Sequence, residues 1–255
     1  MENLTKKIHV PDILVALSDK MSTLNAPLYI VGGYVRNTLL GTDPLDIDIC
    51  AKLTIDELLP ILNQLNIKVA YSNTKMGTLK LRYNNLSFEY ATLRYEDYKK
   101  MGARTPHMVQ FVDDIKIDAM RRDFTINALY YDIKNEKIID NVGGLKDLEE
   151  KLLVEVEHDT LDYDATRLLR MIKYATLYNL SIEDDTFLHA KNNLPLLNEL
   201  SKDTLETALC DIMSIVCDKN KKHLGKIIDE LSIDTVEFKT EFLPLINDFL
   251  NYIQI

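Results

Sequence analysis

Apolar residues recur at helical spacing over residues 12–24 (Ile13, Leu14, Leu17, Met21), which predicts a first helix. LYIVGG then reads as a short buried strand ending in a glycine turn. VRNTLL starts a second helix, DIDIC reads as a second strand, and Leu58, Leu59, Ile61, Leu62 and Leu65 predict a helix over 54–65. TLKLRY and LSFEYATLR are two further strand-like runs, and Asn84-Asn85 between them suits a tight hairpin. From about residue 160 nearly everything reads as helix. Leu168, Ile172 and Ala175, then Leu205, Leu209, Ile212 and Val216, fall at helical spacing. The pattern divides into a mixed α/β head, 1–150, and an all-helical section, 151–255. No internal repeat or low-complexity segment interrupts it.

Composition adds little to this picture: 46% apolar and 27% charged residues are ordinary for a folded chain. MENLTKKIHVPDIL lacks the uninterrupted apolar core of a signal peptide, and no run is long enough to span a membrane. The net charge of −10 argues against a general nucleic-acid binder, so any RNA contact must use a local basic patch. Cys50, Cys210 and Cys217 follow no metal-ligand spacing. Cys210 and Cys217 stand a heptad apart and read as buried packing residues. The five histidines are scattered singly and suggest no zinc site, and a reducing cytoplasm fits best.

The chemistry concentrates in Gly32-Gly33-Tyr34-Val35-Arg36, followed by Asp46-Ile47-Asp48. Alternate strand residues face one side, so Asp46 and Asp48 project two carboxylates together. Like charges at that spacing call for cations, and hard oxygen ligands suit Mg²⁺. Two ions about 3.5–4 Å apart activate an attacking hydroxyl and steady a departing pyrophosphate. A glycine pair lets backbone N–H groups approach a phosphate. Taken singly, GG reads as a turn and DxD as a solvated strand end; their order and distance favour a site. Glu89, in Phe88-Glu89-Tyr90, is the candidate third carboxylate, against an outward-facing strand glutamate.

GGYVRNTLLG with DIDI, FEYATLR, RRDFTINAL with IIDNVGG, and DATRLLRMIKYA with SIEDDT run in the order of the motifs of class II tRNA nucleotidyltransferases and bacterial poly(A) polymerases, which the chain resembles over roughly residues 28–187. The resemblance implies an α+β fold: a polymerase-β-like head with a mixed, largely antiparallel sheet, then a helical neck and body. It implies template-independent addition of C and A from CTP and ATP to a tRNA or other RNA 3′ end, with Mg²⁺ held by Asp46 and Asp48. Gly32, Gly33 and Arg36 look like triphosphate contacts, Asp123 like the reader of the ribose 2′-hydroxyl, and Arg121 and Arg122 like phosphate neighbours. Without the motif those two arginines would read as a surface ion-pair cluster. Asn127 and Arg170 belong to the same nucleotide-binding set.

Asp164 and Arg167 match the family's base-reading pair. At i, i+3 they are expected on one helix face. A carboxylate accepts from an exocyclic amino group while a guanidinium donates to the neighbouring ring nitrogen, which suits cytosine and adenine. The alternative is an exposed intrahelical ion pair. Residues 95–120 resemble the family's flexible loop, tied to the switch from C to A, with Lys99, Lys100 and Arg104 making its first half basic. Three positions depart from the pattern: Asn37 and Tyr163 stand where the family has acidic residues, and Lys173 replaces an arginine. About 70 residues follow the neck motif, which leaves room for a homo-oligomer to share the grip on RNA. Poly(A) addition, a relative that binds nucleotide without turnover, and transfer to a non-tRNA acceptor are the alternatives.

Overall fold

The computed structural model describes residues 8–44, 46–102 and 104–254. Residues 1–7, part of the segment read above for a leader, lie outside them. In chain order the elements are α1 (Asp12–Ser22), β1 (Tyr29–Val31), α2 (Gly33–Leu40), β2 (Asp48–Ala51), α3 (Ile55–Gln64), β3 (Lys68–Asn73), β4 (Thr78–Tyr83) and β5 (Leu86–Thr92). Then come β6 (Arg94–Asp97), β7 (Met108–Phe111), α4 (Ile115–Met120), β8 (Leu129–Asp132), β9 (Lys137–Asp140) and α5 (Gly144–Glu150). The remainder is β10 (Leu152–Leu153), α6 (Thr160–Tyr163), α7 (Thr166–Tyr178), β11 (Ser181–Ile182), α8 (Asp184–Asn193), α9 (Lys202–Ser214), α10 (Lys221–Leu231) and α11 (Leu243–Gln254).

The chain divides into two compact units. One comprises residues 1–96 and 108–145, the other 97–107 and 146–255. The first is built on a seven-stranded sheet of order β3-β4-β5-β2-β1-β8-β9. Within this sheet only β2 and β5 run parallel; its other pairs are antiparallel. β8 is buried along its whole length, as a strand covered on both faces must be. In β5 the buried Phe88 and Tyr90 alternate with exposed Ser87 and Glu89, so water reaches one face there. Leu14, Leu17 and Met21 of α1 and Leu58 and Leu62 of α3 are fully buried, the apolar stripes their spacing predicts.

In the second unit α7 buries Leu168, Leu169, Met171, Ile172 and Ala175, and packs on α9 and α10. The buried stripe of α9 is Leu205, Leu209 and Ile212, which leaves Cys210 on the opposite side, and Cys217 lies beyond the helix end. Both thiols are therefore exposed, against the expectation of buried packing, and only Cys50 is inside. Among the described residues no helix is long and apolar enough to cross a membrane.

The section read as all-helical carries the short pair β10–β11, and three segments singled out in the sequence differ from their expected form. Asp46 precedes β2 rather than belonging to it, although Glu89 N donates to Ile47 O at 2.9 Å and carries the pairing one residue further. Segment 95–120 is not a plain loop: it forms β7 and α4, and residues 97–107 belong to the helical unit. Gly102 N donates to Asp162 O, Arg104 N to Tyr163 O, and the Tyr98 ring stacks on Tyr163 with centroids 5.0 Å apart. Lys100 pairs with Glu199, and Arg104 Nη1 donates to Thr204 Oγ1 at 3.0 Å. Third, Asp164 ends α6 in an extended conformation (φ −131°, ψ 104°), and α7 starts two residues later. Asp164 and Arg167 therefore do not share one helix face.

Candidate active site

Strand register builds the site on the central strands of the sheet. Val31, the last residue of β1, pairs with Asp48 of β2 on one side and with Tyr130 of β8 on the other. Asp48 pairs in turn with Glu89 of the parallel β5. The glycine turn after Val31 thus emerges beside a row of carboxylates drawn from two strands. Asp46, Asp48 and Glu89 are all exposed, flanking the buried Ile47, Phe88 and Tyr90. Glu89 meets Lys80 of β4 at 3.0 Å. The ammonium pKa of Lys80 is raised, first by that hydrogen bond and charge, with Asp46 adding its field. A cation already sits against this acidic row, as electrostatics demands.

Gly32 turns the chain from β1 into α2 at φ 73°, ψ −126°, a conformation open essentially to glycine alone. A Cβ on Gly32 or Gly33 would approach no protein atom closer than 3.5 Å. Those are ordinary van der Waals distances, so the turn is lined by Asn127 O and two guanidinium groups without a clash. The first-turn N–H groups of a helix lack intrahelical acceptors and favour anions. Two guanidinium groups flank the turn: Arg36 Nη2 lies nearest the Cβ position of Gly33, and Arg122 Nη1 lies near that of Gly32.

Both guanidiniums are aimed by buried partners. Arg36, 5% exposed, donates through Nη1 to Asn127 Oδ1, and through Nε and Nη2 to Asn37 Oδ1 at 3.1 and 3.0 Å. Asn127 Nδ2 donates to Asp123 Oδ1 at 3.0 Å, and the same oxygen accepts Phe124 N at 2.8 Å. Asn37, an acid in the motif it departs from, here works as a neutral acceptor for Arg36. Arg122 donates through Nε to Tyr130 Oη at 2.9 Å and through Nη2 to Asp118 Oδ2 at 3.0 Å. Arg121 pairs with Asp118 at 2.8 Å and with Glu96 at 3.3 Å, and Arg94 also meets Glu96 at 2.7 Å.

Asp118, fully buried, is the centre of this network and was not singled out in the sequence. Burial alone would raise its pKa, but the charges of Arg121 and Arg122 and the Tyr130 hydroxyl outweigh it and hold the carboxyl well below the usual range. The arginine pair is thus a buried ion network, not a surface cluster. The IIDNVGG motif also gains a physical role. Asp140 Oδ1 accepts the N–H groups of Val142, Gly143 and Gly144, and Oδ2 that of Leu145, at 2.9–3.1 Å. This caps α5, and Gly144 lies so close to Thr125 that a Cβ would fall 2.2 Å from its carbonyl oxygen.

In the helical unit, Asp164 Oδ1 accepts Thr166 N at 2.9 Å and Thr166 Oγ1 at 2.7 Å. Arg167, 9% exposed, donates through Nη1 to Thr160 O at 2.9 Å. Arg170 is exposed and lies 5.3 Å from the Tyr174 ring centroid. Lys173, in place of an arginine, pairs with Asp211 at 3.0 Å.

Residues 28–154 match the poly(A) polymerase head domain family. The CCA-adding enzyme of Streptococcus mutans is 35% identical over 185 residues, 72% of this chain and 45% of that protein. The chain belongs to this family. A solved CCA-adding enzyme in an apo form is 28% identical with a TM-score of 0.75, covering 90% of this chain and 55% of that one. A tRNA nucleotidyltransferase solved with a primer tRNA and an incoming ATP analog is 25% identical, TM-score 0.67, over 85% of this chain and 60% of that one. The chain thus spans about half the length of the curated relative it matches.

With the family established, the head is a polymerase-β-like nucleotidyltransferase fold, and nucleotidyl transfer in this family needs a divalent metal. Exposed carboxylates from adjoining strands are hard oxygen donors and fit such an ion. The head brings together Gly32, Gly33, Arg36, Asp46, Asp48, Glu89, Arg122, Asp123 and Asn127 around the central strands β1, β2 and β5. Asp164, Arg167 and Arg170 lie in the helical unit. Asp118 is the site-supporting residue outside the motif reading, while Asn37, noted there as a departure, is the acceptor that holds Arg36. The i+3 and i+4 spacing from Asp118 to its two arginines was the available signal.

Proposed function

We propose that this chain is an RNA 3′-terminal nucleotidyltransferase that adds C and A to the end of tRNA from CTP and ATP. The observation that carries the reading is the register of Asp48, between Glu89 on one strand and the residue before the Gly32 turn on another. The relatives support the acceptor: one is a CCA-adding enzyme, and another is complexed with a primer tRNA.

In the reaction the RNA 3′-hydroxyl attacks the α-phosphorus of the incoming nucleotide, loses its proton, and pyrophosphate leaves. Asp46 and Asp48 would hold the divalent ion, Mg²⁺, which when bound would supply Lewis acidity toward the attacking oxygen and the leaving group. Glu89, paired here with Lys80, would be the third carboxylate toward that ion. The Gly32-Gly33 turn and the N-terminus of α2 receive the triphosphate, with Arg36 and Arg122 donating to its oxygens from fixed positions. Asp123 accepts from the ribose 2′-hydroxyl. Asp164 accepts from the exocyclic amino group shared by cytosine and adenine, and Arg167 donates to the adjacent ring nitrogen. Uracil and guanine meet both groups with the wrong polarity, which supplies selection without a template.

The test is incubation of the full chain with a tRNA minihelix lacking its 3′ CCA, Mg²⁺ and each labelled nucleotide. Incorporation of C and A that stops after three residues is expected. Long A tails would replace the reading with poly(A) addition, and no transfer to any RNA would overturn it. Asp48→Ala is expected to abolish incorporation while changing stability by no more than about 1 kcal/mol, because the group is exposed. Near-normal turnover would remove Asp48 from the metal role.

A further inference from the structure

Histidines that are isolated in sequence meet in the fold of the helical unit. Glu155 follows β10, His158 lies in the next turn, and His189 comes from α8. Among the described residues, these three offer donor atoms that all lie within 4.8 Å of one another. Glu155 is 7% exposed, so its carboxylate is set inside rather than waving in water. His189 Nδ1 lies 2.8 and 3.0 Å from the two Glu155 oxygens, and His158 Nδ1 lies 3.8 Å from Oε1. The imidazole centroids are 5.0 Å apart. A tetrahedral shell with bonds of roughly 2.0–2.1 Å separates neighbouring donors by about 3.3 Å, midway between those two spacings.

The far side of His189 is also built. Its Nε2 lies 2.8 Å from Asp162 Oδ1, and Asn193 Nδ2 donates to the same oxygen at 2.7 Å. An imidazole that binds a metal through one nitrogen typically donates its other N–H to a carboxylate, which fixes the tautomer and strengthens the ligand. Thr186 Oγ1 accepts Glu155 N at 3.2 Å, so one face of α8, through Thr186, His189 and Asn193, clamps the segment 155–162. Two imidazoles and one carboxylate, with no thiolate, suit Zn²⁺ or Co²⁺. Mg²⁺ prefers oxygen alone, which separates this site from the carboxylates of the head.

We infer that Glu155, His158 and His189 form a binding site for a transition ion of the Zn²⁺ class, with Asp162 as the acceptor behind His189 and a fourth position open to water. The ion replaces the proton on His189 Nδ1 and ties α8 to the turn that leads into α6. That short helix carries Thr160, whose carbonyl accepts from Arg167, and it ends at Asp164.

The test is titration of Co²⁺ into chelator-stripped full chain at fixed pH without Mg²⁺, read by visible absorption and then by Zn²⁺ displacement. One ion per chain with an intense four-coordinate spectrum is expected. His158→Gln, at an exposed position that leaves the fold intact, should weaken binding by more than the roughly 10–100-fold expected for Asp162→Asn. Zn²⁺ should raise the melting temperature of the parent chain and not that of His158→Gln. No binding at millimolar Co²⁺, equal binding in the parent and His158→Gln, or binding lost in Cys210→Ser or Cys217→Ser instead, would each overturn the site. Because the readouts need neither nucleotide nor RNA, failure here and failure of nucleotidyl transfer are separate results.

Discussion

Asp118 concentrates the electrostatics of the head in one side chain. It has no exposed surface, and it accepts from Arg121, Arg122, Tyr130 and the Arg94 amide. Removing one partner of such an array leaves buried charge without a counterpart, so Asp118→Asn is expected to cost about 3–5 kcal/mol in urea denaturation. The pH dependence has a definite sign. A carboxyl whose folded pKa is depressed contributes stability that is complete above its unfolded pKa, near 4, and is lost as pH falls toward the folded value. The parent chain should therefore lose stability below about pH 4 more steeply than Asp118→Asn. Parallel slopes for the two would remove Asp118 from this role. In sequence Asp118 is one acid among many. The i+3 and i+4 spacing to its arginines marks a pairing, but only Tyr130, twelve residues on, and the sheet behind it make it a buried hub.

Elements whose side chains divide cleanly between core and water were legible in the chain. α1 and α3 follow their apolar stripes, and the β4–β5 hairpin turns at Asn84, which takes φ 51°. The edge strand β3 escaped notice because its residues are nearly all exposed, so no alternation marks it. The break at Asp164 escaped because the i, i+3 spacing cannot tell a continuous helix from two helices in sequence. Asp164 instead spends its oxygen on Thr166, a local bond that competes with helix. The Gly143-Gly144 pair lends itself to a contrast. Gly143 takes φ 88° with nothing within 4 Å of a Cβ, whereas Gly144 presses on the Thr125 backbone. Gly143→Ala should cost about 1 kcal/mol of backbone strain. Gly144→Ala must displace Thr125–Asn127, destabilise by about 1–3 kcal/mol and raise the KM for CTP, which Gly143→Ala should leave unchanged. Equal KM values for the two variants would disconnect the α5 cap from the Asn127–Arg36 contact.

At the scale of the molecule, charge sets the terms on which the proposed RNA acceptor would be met. The net charge of −10 leaves association to a few local cations. Lys99, Lys100 and Arg104 are the cluster in segment 97–107, and Lys100 is already matched by Glu199. If these three carry the phosphate contacts, log K for a tRNA minihelix should fall with log salt at a slope no steeper than about −2 to −3. Filter binding across salt concentrations measures this, and a steeper slope would point to a larger basic surface. The cysteines follow the division into units as well. Cys50 lies inside the sheet, where burial pushes its thiol pKa up, while Cys210 and Cys217 are in water on the helical unit. An alkylating reagent should mark two positions within minutes and spare the third until the sheet opens. The native chain therefore carries its own pair of reporters: dye attached at 210 or 217 follows the helices alone, and delayed mass gain at 50 times the opening of the head.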